Sequence, residues 1–357
     1  MHETATPFPT VSEDFDGIVA AALRAEPWAG EPFLQEGDDP AMVLGLGTAF
    51  RRALDAAIAE MDAGLRSPSP QWRVKFGLML GLARTLSEKP PHLASGAELR
   101  RHQVDALAGM LTELIATNQK TAVVAPATED VVDDDEDEED DDLGLAPTEL
   151  IEDEIPVGED PGAERRFRFR HPTASGKTIA AAGFVEAARS QGVLILTHRR
   201  LLVDQFAREL TEHGYAKRFT DIVVEGAIPP VTNPITIQTY AWFARHVDEI
   251  SRSAYQLIIC DEAHTALGDK TSTAIRSLSE PIYVGMTATE ELIAKQVSDV
   301  FPASVDDLPL ADAARRGLIA PLRCLRVPPV AAINSVPIVG GDFEERALAD
   351  ALDHEAL

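Results

Sequence analysis

Short apolar runs alternate with longer helix-compatible stretches from about residue 165 onward, and this alternation limits the fold more than any other feature. Five runs have the look of buried strands: residues 192–197, 221–224, 234–237, 257–260 and 282–285. The stretches between most of them are long enough to hold a helix. Because short apolar strands that alternate with helices form parallel βαβ units, we predict an α/β fold with a mostly parallel, doubly wound sheet.

The first 95 residues are alanine-rich and have helical periodicity instead. Apolar side chains recur at helical spacing over residues 50–65, and another apolar helix is predicted over residues 72–86. An amphipathic helix is predicted over residues 97–118. Residues 1–95 contain no recognisable chemical motif, so we expect them to form an α-helical accessory region.

The acidic residues are concentrated in one segment of the chain. The 357 residues carry a net charge of −27, and 18 of the 59 acids lie in residues 129–160, which contain no lysine or arginine. The rest of the chain has a net charge of only −9, so the acidity does not argue against a nucleic-acid partner. Ten consecutive acids at residues 133–142 repel one another, so we predict a disordered insertion over residues 127–162.

Two interpretations of the acidic segment remain open. It is either a solvated loop or a mimic of nucleic acid that occupies a basic groove when substrate is absent. The arginines at positions 165, 166, 168 and 170 follow it directly and are a candidate docking site.

Several classes of protein are not expected from this composition. No apolar run approaches the roughly 18 residues that a membrane-spanning helix needs, and the first residues lack the pattern of a signal peptide. Two cysteines, Cys260 and Cys324, are too few for a disulfide framework or a four-cysteine zinc site. We therefore expect a cytoplasmic protein with no membrane partner.

Residues 171–178 (HPTASGKT) have the composition of a loop that binds phosphate. Gly176 allows the backbone to approach an oxyanion, and the helix predicted after it adds positive potential at its N-terminus. Lys177 can reach the β and γ phosphates of a nucleotide, while Thr178 can offer its hydroxyl to Mg²⁺. His171 stands where the general pattern has its first glycine. The alternative is a chance match at the N-terminus of a helix.

Two acids follow the apolar run at residues 257–260. Asp261 would lie at the carboxyl end of this strand, where it could hold Mg²⁺, and Glu262 could orient and deprotonate an attacking water. The alternative is an ordinary strand followed by a helix whose N-terminus favours acids. Ligands of open α/β sheets bind at the carboxyl ends of strands, so we expect this pair and the phosphate loop to form one site.

A third motif, Thr287-Ala288-Thr289, follows another apolar run and alone indicates only a polar turn. Together, the motifs resemble the first RecA-like domain of superfamily 2 helicases over residues 97–325. PTASGKT (172–178), DEAH (261–264) and TAT (287–289) are similar to motifs I, II and III of that superfamily. THRRLLVDQ (197–205), TIQTY (236–240) and LRRHQVDAL (99–107) resemble motif Ia, a neighbouring nucleic-acid contact motif and the upstream glutamine element.

The resemblance implies ATP and Mg²⁺ as cofactors and a role for each motif residue. It makes Glu262 the catalytic base, acting with Asp261 and Lys177, and places Mg²⁺ on Thr178 and Asp261. The residues implied in nucleotide binding are Gln103, which would read adenine, and Thr173, Ala174, Ser175, Gly176, Lys177 and Thr178. Those implied in nucleic-acid contact, mostly to phosphates, are Arg199, Arg200, Gln238 and Thr239. Those implied in coupling nucleotide state to nucleic-acid binding are His264, Thr287 and Thr289.

The resemblance also implies a division of the chain. It indicates a RecA-like ATP-binding domain over residues 96–325, and residues 326–357 would be a tail or the start of a second RecA-like domain. Motors of this superfamily bind ATP between two such domains, so we expect the ATP-binding half of a nucleic-acid-dependent ATPase, completed in trans or by a missing C-terminal part. The alternative is an ATP-binding regulatory or scaffold subunit with little hydrolysis of its own.

The residues of two motifs indicate which kind of nucleic acid is bound. THRR and DEAH resemble the DNA-translocating group, which includes restriction-enzyme motor subunits and duplex-DNA repair helicases. This favours DNA over RNA. For Trp242 and Phe243, which follow the TIQTY motif, we expect core packing rather than stacking on bases.

Overall fold

The computed structural model describes residues 15–120, 160–288, 297–320, 338–339 and 342–343. Most of the predicted acidic insertion, Thr289 and most of the segment 326–357 lie outside the described residues. The chain divides into two compact units, Met1–Ala313 and Ala314–Leu357. The second unit contains a two-stranded antiparallel pair, which is Ile338–Val339 with Asp342–Phe343.

The N-terminal region is helical, as predicted. Its first three helices are α1 (Phe15–Ala29), α2 (Pro40–Val43) and α3 (Ala49–Asp62). The predicted helix over residues 72–86 is present as three consecutive pieces, which are α4 (Pro70–Trp72), a π-helical turn (Arg73–Gly77) and α5 (Leu78–Ser87). The predicted amphipathic helix is α6 (Arg101–Lys120). No helix among the described residues combines the length and apolar character needed to cross a bilayer.

Six parallel strands form the sheet of the first unit, in the order β3-β2-β4-β5-β1-β6. They are β1 (Arg166–Arg170), β2 (Val193–Thr197), β3 (Ile235–Thr239), β4 (Leu257–Asp261), β5 (Ile282–Thr287) and β6 (Ala303–Asp307). The helices that follow β1 to β4 are α7 (Lys177–Ala187), α8 (Arg200–Glu212), α9 (Tyr240–His246) and α10 (Asp269–Ser277). The predicted α/β fold with a parallel sheet and an α-helical N-terminal region is confirmed.

The two faces of the sheet bury separate hydrophobic cores. In β2, Val193 and Ile195 belong to the core that contains α7 and the N-terminal helices, while Leu194 and Leu196 belong to the core that contains α9 and α10. Because side chains alternate along a strand, a central strand that is apolar at every position covers both faces.

One predicted strand is wrong. Residues 221–224 do not join the sheet, and Val224 makes only an isolated bridge to Ile250. The N–H of Val223 donates instead to the hydroxyl of Tyr255 at 2.9 Å, so a side chain takes the place of a neighbouring strand.

Strand β1 was not predicted because three of its five residues are arginines. The buried guanidinium of Arg166 donates to the carbonyl of Val300 and pairs with Asp160, while Arg170 makes a bidentate pair with Asp307. Arg168 donates to the carbonyls of Phe301 and Pro302. These arginines therefore stabilise the contacts of β1 with β6 and with the residues before β6. Asp160 is the only acid of the segment 129–160 that the structure describes, and it pairs with Arg166.

Helix α7 is packed closely against the N-terminal region. A Cβ added at Gly81 of α5 would lie 1.7 Å from the carbonyl oxygen of Ala187 at the end of α7. Next to this contact, Arg84 donates to the carbonyl of Glu186 at 2.7 Å and pairs with its carboxylate at 3.2 Å. Glycine at position 81 therefore permits the approach on which the ion pair depends.

We predict that Gly81→Ala lowers the free energy of unfolding by about 1–3 kcal/mol, because the added methyl must push α5 away from α7. Gly268→Ala is the control for a methyl added without a steric clash, since a Cβ there has no neighbour within 4 Å. Because Gly268 is the N-cap residue of α10, this control should itself lose up to about 1 kcal/mol. Denaturant titration followed by tryptophan fluorescence measures both. Equal stability of the two variants would contradict the account of this contact.

Candidate functional site

The predicted motifs meet at the carboxyl edge of the sheet. The phosphate loop, residues 171–176, follows β1, the acid pair ends β4, and Thr287 ends β5, which lies between β1 and β4. In the strand register, Arg170 pairs with Thr287 and Asp261 pairs with Met286. The three segments therefore begin at the same level of the sheet.

The carbonyl groups of the phosphate loop point into the protein. The Ser175 carbonyl accepts a hydrogen bond from Nε2 of His102 at 2.8 Å, and the Gly176 carbonyl accepts one from Nε2 of Gln103 at 3.1 Å. The Pro172 carbonyl accepts from both the N–H and the hydroxyl of Ser175. Three of the loop's carbonyls are thus satisfied from the inside.

The N–H groups of the same loop are left for a ligand. Among the described residues, those of Ala174, Gly176 and Lys177 donate to no other part of the protein. Ala174 and Gly176 both have positive φ, 66° and 89°, and α7 starts directly after them. Successive N–H groups in such a conformation, at the N-terminus of a helix, bind anions. Thr173 and Ala174 are exposed at the surface of this loop.

Lys177 crosses the site to reach the acid pair. Its Nζ lies 3.3 Å from Oε1 of Glu262, and its side chain is only 10% exposed. The other carboxylate oxygen of Glu262 is buried and accepts no hydrogen bond among the described residues. Glu262 also has a left-handed backbone, with φ 47°. An orphaned oxygen on a strained residue is typical of a group held ready for a ligand.

Asp261 is buried beside Glu262. The pKa of its carboxyl is raised to about 6, mainly by burial and secondly by the charge of Glu262, while the charge of Lys177 opposes both. The backbone carbonyl of Asp261 accepts a hydrogen bond from the hydroxyl of buried Tyr240 at 2.8 Å. Tyr240 therefore fixes the end of β4, a role that its position in the sequence did not indicate.

A cleft of about 380 Å³ opens between these groups; its lining residues are Thr173, His198, Glu262, His264, Thr265 and Ala288. His264 Nδ1 lies 3.2 Å from the Thr287 hydroxyl and 3.6 Å from Oε2 of Glu262. The DEAH and TAT segments are therefore in direct contact at the site. A larger cavity of about 610 Å³ lies elsewhere, beside Arg165 and Glu280, which precede β1 and β5.

The residues present fit a nucleotide with Mg²⁺. The outward N–H groups and Lys177 suit a phosphate, and the hydroxyl of Thr178 and the carboxylate of Asp261 are the oxygen ligands that Mg²⁺ prefers. Gln103 is buried with its amide engaged at both ends, since its Oε1 accepts from the N–H of Arg100 at 2.8 Å and its Nε2 donates to the loop. The structure thus places Gln103 against the phosphate loop, and its contact with adenine remains a prediction.

The predicted nucleic-acid residues form a second group at the same edge. Arg199 and Arg200 are exposed at the start of α8, directly after β2. Strand β3 pairs with β2 so that Gln238 lies opposite Leu196 and Thr239 opposite Thr197. The Thr239 hydroxyl accepts from the N–H of Trp242 and caps α9, so this side chain has a structural role of its own.

Trp242 and Phe243 of α9 pack as expected. Phe243 is fully buried, and Trp242 packs against the same core with its ring stacked on His246 at 4.6 Å. Thr289, the last predicted coupling residue, lies outside the described residues.

Sequence reasoning missed a group of residues beneath the phosphate loop. His102, His171 and Asp306 lie there, and only the histidine at the first-glycine position was visible as a departure from the usual pattern. The strand that carries Asp306 is short and half-exposed, so it gave no apolar signal.

We predict that Asp261→Asn raises the free energy of unfolding at pH 7 by up to about 3 kcal/mol when measured in EDTA. The native state holds the Asp261 proton more tightly than the unfolded chain, whose ordinary pKa is 3.8. Wild-type stability is therefore lost as pH rises through about 4 to 6, and the amide avoids that loss. Asp204→Asn, at an exposed position of α8, is the control. An Asp261→Asn variant no more stable than wild type at pH 7 would contradict this assignment.

The chain is similar to several solved helicase structures. The helicase domain of Hef from Pyrococcus furiosus is 20% identical, with a TM-score of 0.36 over 45% of this chain and 39% of that chain. A hypothetical ATP-dependent RNA helicase from Sulfolobus tokodaii is 22% identical, with a TM-score of 0.32 over 40% and 47%. The SWI2/SNF2 ATPase core of Sulfolobus solfataricus, solved with dsDNA, is 16% identical, with a TM-score of 0.31 over 38% and 31%. This chain therefore spans less than half the length of each of these proteins.

A comparison with curated proteins gives no match. A family model described as "Type III restriction enzyme, res subunit" matches residues 97–292, which are more than half of the 357 residues. The match includes the phosphate loop, the acid pair and Thr287. The chain therefore belongs to this family and contains an ATPase domain of the superfamily 2 helicase type.

Proposed function

We propose that this chain is the ATP-binding half of a nucleic-acid-dependent ATPase that acts on DNA. The observation that carries the proposal is the arrangement of the phosphate loop. Three of its N–H groups have no acceptor among the described residues, and Lys177 bridges directly from it to Glu262 at 3.3 Å. A bound phosphate would compete with Glu262 for Lys177, so nucleotide binding would release the glutamate for catalysis.

Each of the site's side chains then has one task. Mg²⁺ supplies charge stabilisation to the transferring phosphoryl group when it is bound. Thr178 and Asp261 would hold the metal, which requires Asp261 to be ionised. Lys177 would bind the β and γ phosphates, and Glu262 would orient the attacking water and accept its proton. His264 contacts both Glu262 and Thr287. It would therefore transmit the release of Glu262 from Lys177 to the end of β5.

The nucleic-acid surface is proposed at the other half of the same edge. Arg199 and Arg200 are exposed there beside Gln238 and Thr239, and β2 directly neighbours β4, the strand that ends in Asp261. Contacts of this kind go mostly to phosphates and are largely independent of sequence. DNA rather than RNA is proposed because the family is described by a restriction enzyme.

The rest of the functional unit is also a proposal. By its resemblance to two-domain motors, this chain would need a second RecA-like domain, in trans or from a longer polypeptide, to supply the arginine that speeds hydrolysis. The proposed division is an accessory region over residues 1–95 and an ATP-binding domain over residues 96–325. The accessory helices share a hydrophobic core with the sheet, which supports a role in stabilising the domain.

The second candidate function is a regulatory or scaffold subunit that binds ATP with little hydrolysis. The two functions differ in turnover, since only the first predicts hydrolysis that rises with duplex DNA.

We predict that Lys177→Ala weakens ATP binding by about tenfold or more, because it removes a charged donor to the phosphates. Glu262→Gln should keep or tighten ATP binding, because Lys177 loses its competing charged partner. It should lower turnover by about 100-fold or more, because an amide cannot accept the proton. Calorimetry with Mg²⁺-ATP and steady-state hydrolysis with and without duplex DNA measure the two effects. Turnover that survives Glu262→Gln would show that the base is another residue.

We predict that Arg199→Ala and Arg200→Ala each weaken duplex DNA binding and reduce the slope of log affinity against log salt by about 1. Arg208→Ala is the matched control, because Arg208 is an exposed arginine of the same helix but lies about two turns farther from the sheet edge. Fluorescence anisotropy across a salt series gives both quantities. If the control behaves like the other two variants, the contact is a diffuse charge effect and the assigned surface is wrong.

A further inference from the structure

Two buried histidines lie directly beneath the phosphate loop and have no part in the proposed chemistry. His102 comes from α6 and His171 opens the loop, and both are almost completely buried. Their rings meet edge to face, with centroids 5.2 Å apart. Each ring has one nitrogen, Nδ1, that is buried and has no hydrogen-bond partner among the described residues.

The hydrogen bond of His102 determines which of its nitrogens carries the proton. Its Nε2 lies 2.8 Å from the carbonyl oxygen of Ser175. A carbonyl oxygen can only accept, so Nε2 must be the donor and the neutral ring keeps its lone pair on Nδ1. In this form His102 pulls the Ser175 carbonyl inward, which turns the following N–H groups of the loop toward the cleft.

His171 ties the start of the loop to both neighbouring strands. Its backbone N–H donates to the carbonyl of Thr287 in β5 at 3.0 Å, and its Nε2 lies 2.7 Å from Oδ2 of Asp306 in β6. Its ring also packs edge to face on Phe169 with centroids 4.8 Å apart. The side chain at the first-glycine position therefore anchors the loop, a task that glycine could not perform.

A second proton on His102 would have no hydrogen-bond acceptor among the described residues. It would put an N–H at the buried Nδ1, where no acceptor lies among the described residues, next to the ring of His171. The groups that face it are Arg100, which directly precedes α6, Asp105 on α6, and His171 with Asp306 behind it from the sheet. Burial is the largest cause that lowers the pKa of His102, with smaller lowering by His171 and Arg100, while the Ser175 carbonyl and Asp105 oppose it.

We propose that His102, His171 and Asp306 are positioning residues of the phosphate loop, and that the loop loses its anchor when His102 takes up a second proton. The proposal rests on the proposed function, because it assigns the anchored loop to nucleotide binding. These residues act through the loop and touch no reacting atom. Nucleotide affinity should therefore depend on pH through His102, with affinity fully present above the ordinary histidine pKa of 6.5 and lost as pH falls through the lowered pKa of His102.

The test compares wild type with His102→Gln and His102→Ala from pH 8 to pH 5.5, with ADP in EDTA as the probe. Gln places an amide donor where Nε2 lies but does not titrate, so it should bind ADP like wild type at pH 8. At pH 5.5 wild type should bind up to about tenfold more weakly than the Gln variant. The Ala variant lacks the donor and should bind about fivefold more weakly than wild type at pH 8.

The Gln variant also serves as the control for other titrations. The phosphates of ADP and the carboxyl of Asp261 titrate alike in both proteins, so the ratio of the two affinities isolates His102. A ratio that stays constant from pH 8 to 5.5 would overturn the proposal, as would an Ala variant that binds like wild type. Weaker ADP binding by Lys177→Ala shows that ADP occupies the proposed nucleotide site.

A second measurement needs no nucleotide. Hydrogen exchange of the backbone amides of Ser175, Ile179 and Ala180, which donate to carbonyls of the loop, should be faster in wild type than in His102→Gln at pH 5.5, and equal in the two proteins at pH 8. If this difference appears but ADP binds to neither protein, His102 holds the loop as proposed and the proposed nucleotide-binding function is wrong. If ADP binds but exchange is equal in the two proteins at both pH values, the nucleotide site is supported and the proposed role of His102 in holding the loop is wrong.

Discussion

The burial of α7 on all sides is the constraint on which the rest of this structure depends. Residues 180–185, nearly two turns, are buried around the whole helix, which is possible only between a sheet and a second layer of helices. The sheet covers one side, where Phe184 stacks on Phe169 of β1 in the core that β2, β4 and β5 share, and α5 and α6 cover the other side. The N-terminal helices are therefore part of the core that fixes the phosphate loop.

Both ends of α7 are held by side chains from elsewhere in the chain. At its C-terminal end, Arg84 donates to the Glu186 carbonyl and Arg218 to the carbonyls of Val185 and Ala188. Guanidinium groups at this end complement the negative pole of the helix. At the N-terminal end, α6 supplies His102 and Gln103 to the loop. A loop tied in this way presents its N–H groups without first having to be ordered by a ligand.

The site stores strain that the rest of the chain must offset. Three non-glycine residues have positive φ among the described residues, and two of them, Ala174 and Glu262, lie here. Such a conformation costs about 1–2 kcal/mol per residue. Beside them, burial and the neighbouring Glu262 keep the pKa of Asp261 near 6. Strain and a raised carboxyl pKa at one cleft fit a binding site better than a site optimised for stability.

The sequence predicted the parts of this architecture that depend on local pattern. Apolar runs predicted β2 to β5. In the central strands β2, β4 and β5 such a run reflects burial on both faces of the sheet. The same reasoning failed at residues 221–224, where Tyr255 satisfies the backbone, and at β1, whose arginines bind long-range partners such as Val300 and Asp307. The phosphate loop and the acid pair were visible as motifs. Their ion pair, and the histidines below the loop, depend on contacts between distant segments.

The central claim is that a nucleotide phosphate takes Lys177 from Glu262. The most direct test is a crystal structure of this chain with Mg²⁺ and a non-hydrolysable ATP analogue. We expect the phosphates on the N–H groups of the loop, Lys177 on a phosphate oxygen, and Glu262 turned toward the open cleft. A nucleotide bound elsewhere, with the pair between Lys177 and Glu262 intact, would contradict the account.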